Sequence, residues 1–370
     1  MHLHQAPSSG GLPDAPPAGL RGDEPAARAP ARFTPGRVAR FLRSVARGIT
    51  TDCSFDPTFT DALTLPGLRD AVRSRFAVDT GFDATAELFS SMISVRLLAR
   101  VGDADVTRLR DAAAGRSAAR HWHRRYRMFD AQGGFAADTD GTGVALAGLF
   151  EAGKLDREAL LQGGAELLRS AAKQGDGLVP GVVMVYWDDG EVPQVGPRGK
   201  KQDAAAACNA LHALKLAARE GLDDPDGVIE ATTRFIEAHL VSGGYASGTR
   251  YYPSADAFLY FAAELCDRFV DCRERLGSAL AAAIHHRDGL PACPGHPGDP
   301  HAALNTALRL IAARRLGLVH ERRSQVAQLM RAQTASGAWR AGTFFSLGKL
   351  PVYFGSTELT TVFALAALAV

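Results

Sequence analysis

Five glycine-rich connections, each leading into an apolar stretch of helical spacing, constrain this chain more than any other feature. They read QGGFAADTDGT (132–142), QGDGLVPGVVMVYWDDG (174–190), SGGYASGTRYYPSAD (242–256), RDGLPACPGHPGDP (287–300) and SGAWRAGTFFSLGKLPVYFGS (336–356). Recurrence at roughly fifty-residue intervals marks a repeated helix pair that buries its apolar face against its neighbours. No sustained run alternates apolar with polar residues, so an all-α fold is expected. The spacing predicts helices over 34–47, 85–100, 117–128, 141–152, 156–173, 203–220, 227–240, 255–267, 272–285, 300–316, 321–335 and 356–370. Asp203, Ser254 and Ser356 are suited to cap three of them by accepting first-turn amides. Paired in this way, about six helix pairs would close into an α/α toroid. Its inner helices would direct partial positive charge and free amides toward a central cavity.

That toroid is expected to occupy residues 33–370 as a single domain, preceded by a disordered Pro/Ala/Gly-rich leader over 1–32 that lacks the apolar run of a secretory signal. Hydrophobic residues at 46% and charged residues at 22% give no sign of a membrane protein. The apolar run at 359–370 falls short of the ~20 residues that span a bilayer, so no transmembrane segment is expected. Lys and Arg are spread along the chain and the net charge is only +2, which argues against nucleic acid as a partner. Five cysteines, Cys53, Cys208, Cys266, Cys272 and Cys293, lack disulfide-scaffold spacing and read as reduced thiols of a cytoplasmic protein.

Chemistry concentrates at the first connection, where Asp138 and Asp140 stand at the mouth of an apolar helix. Burial beside a second carboxylate raises a carboxyl pKa and keeps a proton available at neutral pH. The plainer reading is that both acids serve the helix start. Tyr186, Trp187, Tyr251, Tyr252, Phe344, Phe345, Tyr353 and Phe354 fall in or beside the connections, where aromatic faces could line a substrate cavity and stabilise a cation, or simply pack the core. Arg198, Lys200 and Lys201, and also Arg124, Arg125 and Arg127, could hold a phosphate or remain solvated surface charge. Cys293, His296, Asp299 and His301 are metal-capable residues, but their spacing matches no structural-zinc pattern and no metal site is assigned.

Gln333, Gly337 and Trp339 in QTASGAW resemble the QW element of the squalene-cyclase and prenyltransferase β-subunit superfamily of terpenoid cyclases. Asp138, Thr139, Asp140 and Gly141 resemble the Asp-x-Asp-Asp acid motif of its class II terpene cyclases. The resemblance covers roughly residues 80–370 and departs from the motif at Gly141, where the family has a final Asp. It implies a single-toroid class II terpene cyclase, an isomerase-type enzyme of isoprenoid biosynthesis. In it Asp140, the middle acid, protonates a linear isoprenoid, expected as a prenyl diphosphate whose diphosphate is retained. No cofactor is required, although Mg2+ could accompany a diphosphate. The Asp-x-Cys zinc element of protein prenyltransferases is absent from the sequence. Because family cyclases place the acid between two helical domains, a homodimer covering the site is expected of one toroid. Two alternatives stand beside this one: a non-catalytic isoprenoid- or partner-binding toroid, and an α/α-toroid glycoside hydrolase or lyase.

Overall fold

Six helices that are apolar on nearly every side form the wall of a closed ring. The computed structural model describes residues 49–57, 59, 61–84, 86–99, 107, 110, 111, 114, 124–129, 134–188, 198–288, 303–318 and 322–368. The expected leader, the helix predicted over 34–47 and the Cys293–His296–Asp299–His301 group lie outside the described residues. Helices α1 (Leu68–Phe76), α2 (Phe89–Leu98), α3 (Thr139–Glu151), α4 (Arg157–Arg169), α5 (Ala204–Arg219) and α6 (Val228–Val241) come first. After them follow α7 (Ala255–Arg268), α8 (Val270–Asp288), α9 (Ala303–Arg315), α10 (Arg323–Arg331) and α11 (Thr357–Leu368).

The ring closes because α2 packs on α3, α3 on α5, α5 on α7, α7 on α9, α9 on α11, and α11 back on α2. Outside it, α4 lies against α3 and α5, α6 against α5 and α8, α8 against α7 and α9, and α10 against α9. Sequence explains the division. In α3 every residue from Thr139 to Leu149 is buried, whereas α4 buries only Leu160, Gly163, Gly164 and Leu167. A helix apolar all round must be enclosed, while an amphipathic one covers it with a single stripe. The chain therefore has the α/α toroid architecture expected of it, built mostly of helix.

Side-chain caps fix where the inner helices begin. Asp138 Oδ1 accepts from the amide of Gly141, Asp203 from Ala205 and Ala206, Ser254 from Asp256, and Ser356 Oγ from Glu358 and Leu359. The connections are then hydrogen-bonded from one helix start to the next. Asp138 N donates to Tyr126 O, Thr139 N to Val185 O, Val185 N to Lys201 O, Tyr251 N to Asp203 Oδ2, and Ser346 N to Tyr251 O. The helix N-termini and their acids are thereby gathered at one end of the ring.

Two elements depart from the helical expectation. A small antiparallel sheet in the order β1-β3-β2 joins β1 (Asp52–Ser54) to β3 (Tyr353–Gly355) and β2 (Thr343–Ser346) to β3. Its strands are too short to display an alternating pattern, and β1 meets β3 from the opposite end of the sequence. The helix predicted over 117–128 is also wrong in its last turn. Arg124 is a turn residue with φ 62° and 125–129 are non-helical, because Glu87 pairs with Phe129 and Arg127 with Ala137 in isolated bridges and Leu88 N donates to Met128 O.

Close approach of α3 to α5 depends on Gly143, where a Cβ would lie 2.4 Å from the Asn209 carbonyl oxygen. That contact is backbone and cannot rotate away. Gly143→Ala is expected to cost about 1–3 kcal/mol through overpacking, read as a lower midpoint in urea denaturation. An unchanged midpoint would show that the two helices can part freely.

Candidate active site

Asp138 and Asp140 are both buried, on the cap and in the first turn of α3, yet their carboxyl groups are bound differently. Asp140 is fully engaged: Asn209 Nδ2 donates to its Oδ1 at 2.7 Å and the Tyr252 hydroxyl to its Oδ2 at 2.6 Å. Asn209 is oriented in turn by Arg96, whose Nη1 donates to Asn209 Oδ1 at 2.8 Å. A guanidinium can only donate, so the amide oxygen must face Arg96 and the amide N–H must face Asp140. Asp138 uses Oδ1 to cap the helix through Gly141 N at 2.6 Å, while its Oδ2 is buried without a hydrogen-bond partner.

These surroundings push both acids upward. Burial, reinforced by the charge of Asp140, raises Asp138 well above the ordinary carboxyl range against the opposing backbone amides of Gly141, Met128 and Asp140. Burial raises Asp140 to about 7, against the opposing hydrogen bonds from Tyr252 and Asn209. Both carboxyl groups thus favour the protonated form more than an ordinary carboxyl does, and Asp138 is the one with a free oxygen.

Raised folded-state pKa values have a defined effect on stability. The unfolded chain releases these protons near the ordinary value of 3.8 and the folded chain holds them to higher pH. Stability contributed by the neutral acids is thus complete below about pH 4 and falls as pH rises toward the folded-state values. Asp138→Asn, which imitates the neutral acid, is expected to gain stability relative to the parent as pH rises above about 4. Thermal melts across this range test it, and a difference independent of pH would contradict the assigned shift.

Asp138 and Asp140 line one side of a cavity with Met128, Val185, Ser346 and Leu347, and six rings, Phe129, Phe135, Tyr186, Tyr251, Phe345 and Phe354, line the rest. The cavity holds about 20 Å3, room for about one water molecule. Phe345 and Phe354 are a cross-strand pair whose rings stack at 4.7 Å, so the small sheet builds one wall. Phe129 closes against Phe354 at 5.3 Å and Phe135 at 4.9 Å, and Tyr186 lies 6.4 Å from both Phe135 and Tyr251.

Of the residues singled out in sequence, Asp138, Asp140, Tyr186, Tyr251, Phe345 and Phe354 line this cavity. Tyr252 stands behind them on Asp140, and Phe344 is buried against Phe261, Phe363 and Tyr252. Tyr353 is a half-buried strand residue outside the cavity lining. Trp187 faces the outer layer, donating to Glu166 O at 2.8 Å and stacking under Arg125, whose guanidinium is paired with Glu166 at 2.6 Å. Lys200 is bound to Asp176 at 2.7 Å and Asp188 at 2.9 Å, whereas Arg198 and Lys201 lie over Phe135 and Tyr186 at the cavity. Sequence reading passed over Arg96, Asn209, Phe129, Phe135 and Arg250. The signal for the first two was a strongly polar side chain inside a largely apolar helix, Arg96 in FSSMISVRLL and Asn209 in AAAACNALHAL.

The four described cysteines, Cys53, Cys208, Cys266 and Cys272, are buried free thiols. Among the described residues no helix is long and apolar enough to cross a membrane.

The described chain is a closed ring of helices with a buried acid pair at one mouth and an aromatic cavity against it. Comparison with known proteins finds type II terpene cyclases among those of similar fold. Type II terpene cyclase MstE from Scytonema superposes with a TM-score of 0.59 at 14% identity, over 90% of this chain and 96% of that one. An aspartate-to-asparagine variant of MstE, in complex with its substrate geranylgeranyl dihydroxybenzoate, matches with a TM-score of 0.57 at 13% identity, over 90% of this chain and 94% of that one. A protein from Actinoplanes matches with a TM-score of 0.54 at 15% identity, covering 78% of this chain and 92% of that one. In sequence, drimenol cyclase drtB of Aspergillus calidoustus is 26% identical over 194 residues, 51% of this chain. The match spans about a third, 31%, of that relative. No family model matches the chain. The chain thus has the fold of the type II terpene cyclases and is terpene cyclase-like in sequence over half its length.

Proposed function

We propose that this protein is a class II terpene cyclase that protonates the terminal alkene of a linear isoprenoid and lets the resulting carbocation close rings while the polar head group stays attached. The observation that carries the reading is the partnerless, buried Oδ2 of Asp138 beside an aromatic cavity. Asp138 gives the proton: its O–H bond breaks, the alkene π electrons form the new C–H bond, and positive charge appears on the neighbouring carbon. Internal alkenes then attack in turn, and loss of a proton from the last cation ends the sequence. Asp140 is the anchored neighbour. With both oxygens accepting hydrogen bonds it stays a proton acceptor, and its charge keeps the proton on Asp138 until an alkene is in place. This exchanges the roles that the Asp-x-Asp-Asp resemblance implied for the two acids.

The walls suit that chemistry. Faces of Phe129, Phe135, Phe345 and Phe354 offer a carbocation ~0.5–2 kcal/mol each and exclude the water that would quench it. Gly141 leaves the acid room, since a Cβ there would lie 3.2 Å from Asp138 Oδ1. A prenyl chain exceeds the cavity's volume, so binding requires the rings to swing apart. A prenyl diphosphate is the first substrate to test, and a prenylated arene the second, because MstE takes one.

Incubation with farnesyl diphosphate, geranylgeranyl diphosphate and geranylgeranyl dihydroxybenzoate, with and without Mg2+, followed by mass-spectrometric product analysis, tests the reading. Cyclic products that take up one solvent deuterium in D2O are expected. Saturable binding without any cyclic product would instead mark a binding toroid.

A further inference from the structure

Among the described residues three basic side chains at the rim of the acid cavity pair with no carboxylate, and we propose that Arg198, Lys201 and Arg250 bind the anionic head group of the isoprenoid substrate. The assignment rests on the cyclase reading above and adds which residues hold the end of the substrate that does not react.

Arg198 is held by its face. Its Cζ lies 4.6 Å from the ring centre of Phe135 and 5.1 Å from that of Phe82, leaving Nε and Nη2 buried without partners. Lys201 Nζ stands 5.8 Å from the Tyr186 ring centre, with only the Gly199 carbonyl, at 3.5 Å, to receive a hydrogen bond. Arg250 Cζ is 6.0 Å from the Tyr251 ring centre, and its Nε is likewise buried and unpartnered. The three are close enough to feel one another: the charges of Arg250 and Arg198 add to burial in lowering the Lys201 pKa. Among the described residues none of them pairs with a carboxylate, whereas neighbouring Lys200 is spent on Asp176 and Asp188.

Like charges gathered in a partly buried place repel, and an anion removes that repulsion while satisfying the idle N–H groups. Two guanidinium groups and one ammonium suit a group that presents several oxygens, either a diphosphate or a carboxylate. The rim also leads into the cavity. Tyr186 and Tyr251, under Lys201 and Arg250, and Phe135, under Arg198, line it together with Asp138. A chain anchored here would run past the aromatic walls with its far alkene free to reach the acid.

Equilibrium binding to Asp138→Asn protein, in which turnover is blocked, tests the site with farnesyl diphosphate, geranylgeranyl dihydroxybenzoate and farnesol. At least one charged ligand is expected to bind about tenfold or more tighter than farnesol, and Arg198→Gln or Arg250→Gln should erase about that factor while leaving farnesol within about twofold. Arg250→Lys should recover part of the loss, and Lys200→Gln should change nothing. The charged ligand that is preferred separates a diphosphate from a carboxylate head group. Equal affinity for farnesol, equal losses for charged and neutral ligands, or no binding of either charged ligand overturns the assignment. Charge-selective binding in protein that makes no cyclic product would leave this site standing and remove the cyclase reading. Cyclisation without charge selectivity would do the reverse.

Discussion

Asp138→Asn is expected to lower the rate of cyclisation by about 10³-fold or more, at the upper end of what one general acid contributes, while substrate binding changes little. Asparagine keeps the cap, because its side-chain oxygen can still accept from Gly141 N, so lost activity would reflect the missing proton and not a misplaced helix. Asp140→Asn should behave differently. Removing the neighbouring charge lowers the pKa of Asp138, so the alkaline limb of the pH–rate profile moves to lower pH and residual activity survives in acid. The activity of the parent falls as pH rises, since the acid must be protonated to react. A pH–rate series on both variants decides the matter. Abolition by Asp140→Asn at every pH, with Asp138→Asn active, would return the donor role to Asp140.

Trp339→Ala should be the most destabilising single truncation, at about 3–5 kcal/mol, which lowers Tm by several degrees. The indole is fully buried, its Nε1 donates to Leu329 O at 2.7 Å, and its backbone N donates to Thr361 Oγ1 at 3.0 Å. It thereby ties the end of outer helix α10 to inner helix α11, while Gln333 Nε2 secures the turn through Gly337 O at 2.9 Å. Alanine would leave a cavity and an unpaired carbonyl together. Trp339→Phe fills most of the space and loses only the donor, so a cost of about 1–2 kcal/mol is expected. Chemical denaturation of both variants gives the comparison, and a loss under about 1 kcal/mol for alanine would mean the tie is dispensable.

Much of the helical ring was legible because its signals are local. A stretch such as AAAACNALHALKLAAR, apolar on most faces and preceded by Asp203, predicts an enclosed helix and its start with no knowledge of its neighbours. Asp138 and Asp140 were legible for the same reason, as acids at the opening of such a helix. The site's finer order was not. Asn209 reaches Asp140 from another helix and is itself turned by Arg96, contacts between positions 69 and 113 residues apart. The wall of Phe345 and Phe354 exists because two short strands pair around a turn, and Arg250 joins Arg198 at the rim only after the ring has closed.

The sequence by itself determined the helices, their caps and which of them must be enclosed, since helical spacing and capping are properties of a few adjacent residues. Tertiary structure alone decided how differently the two acids are bound. Both aspartates have the same chemistry in the unfolded chain. Folding gives Asp140 two hydrogen-bond donors and leaves one oxygen of Asp138 buried with none, a difference that arises only from the neighbours brought together in space.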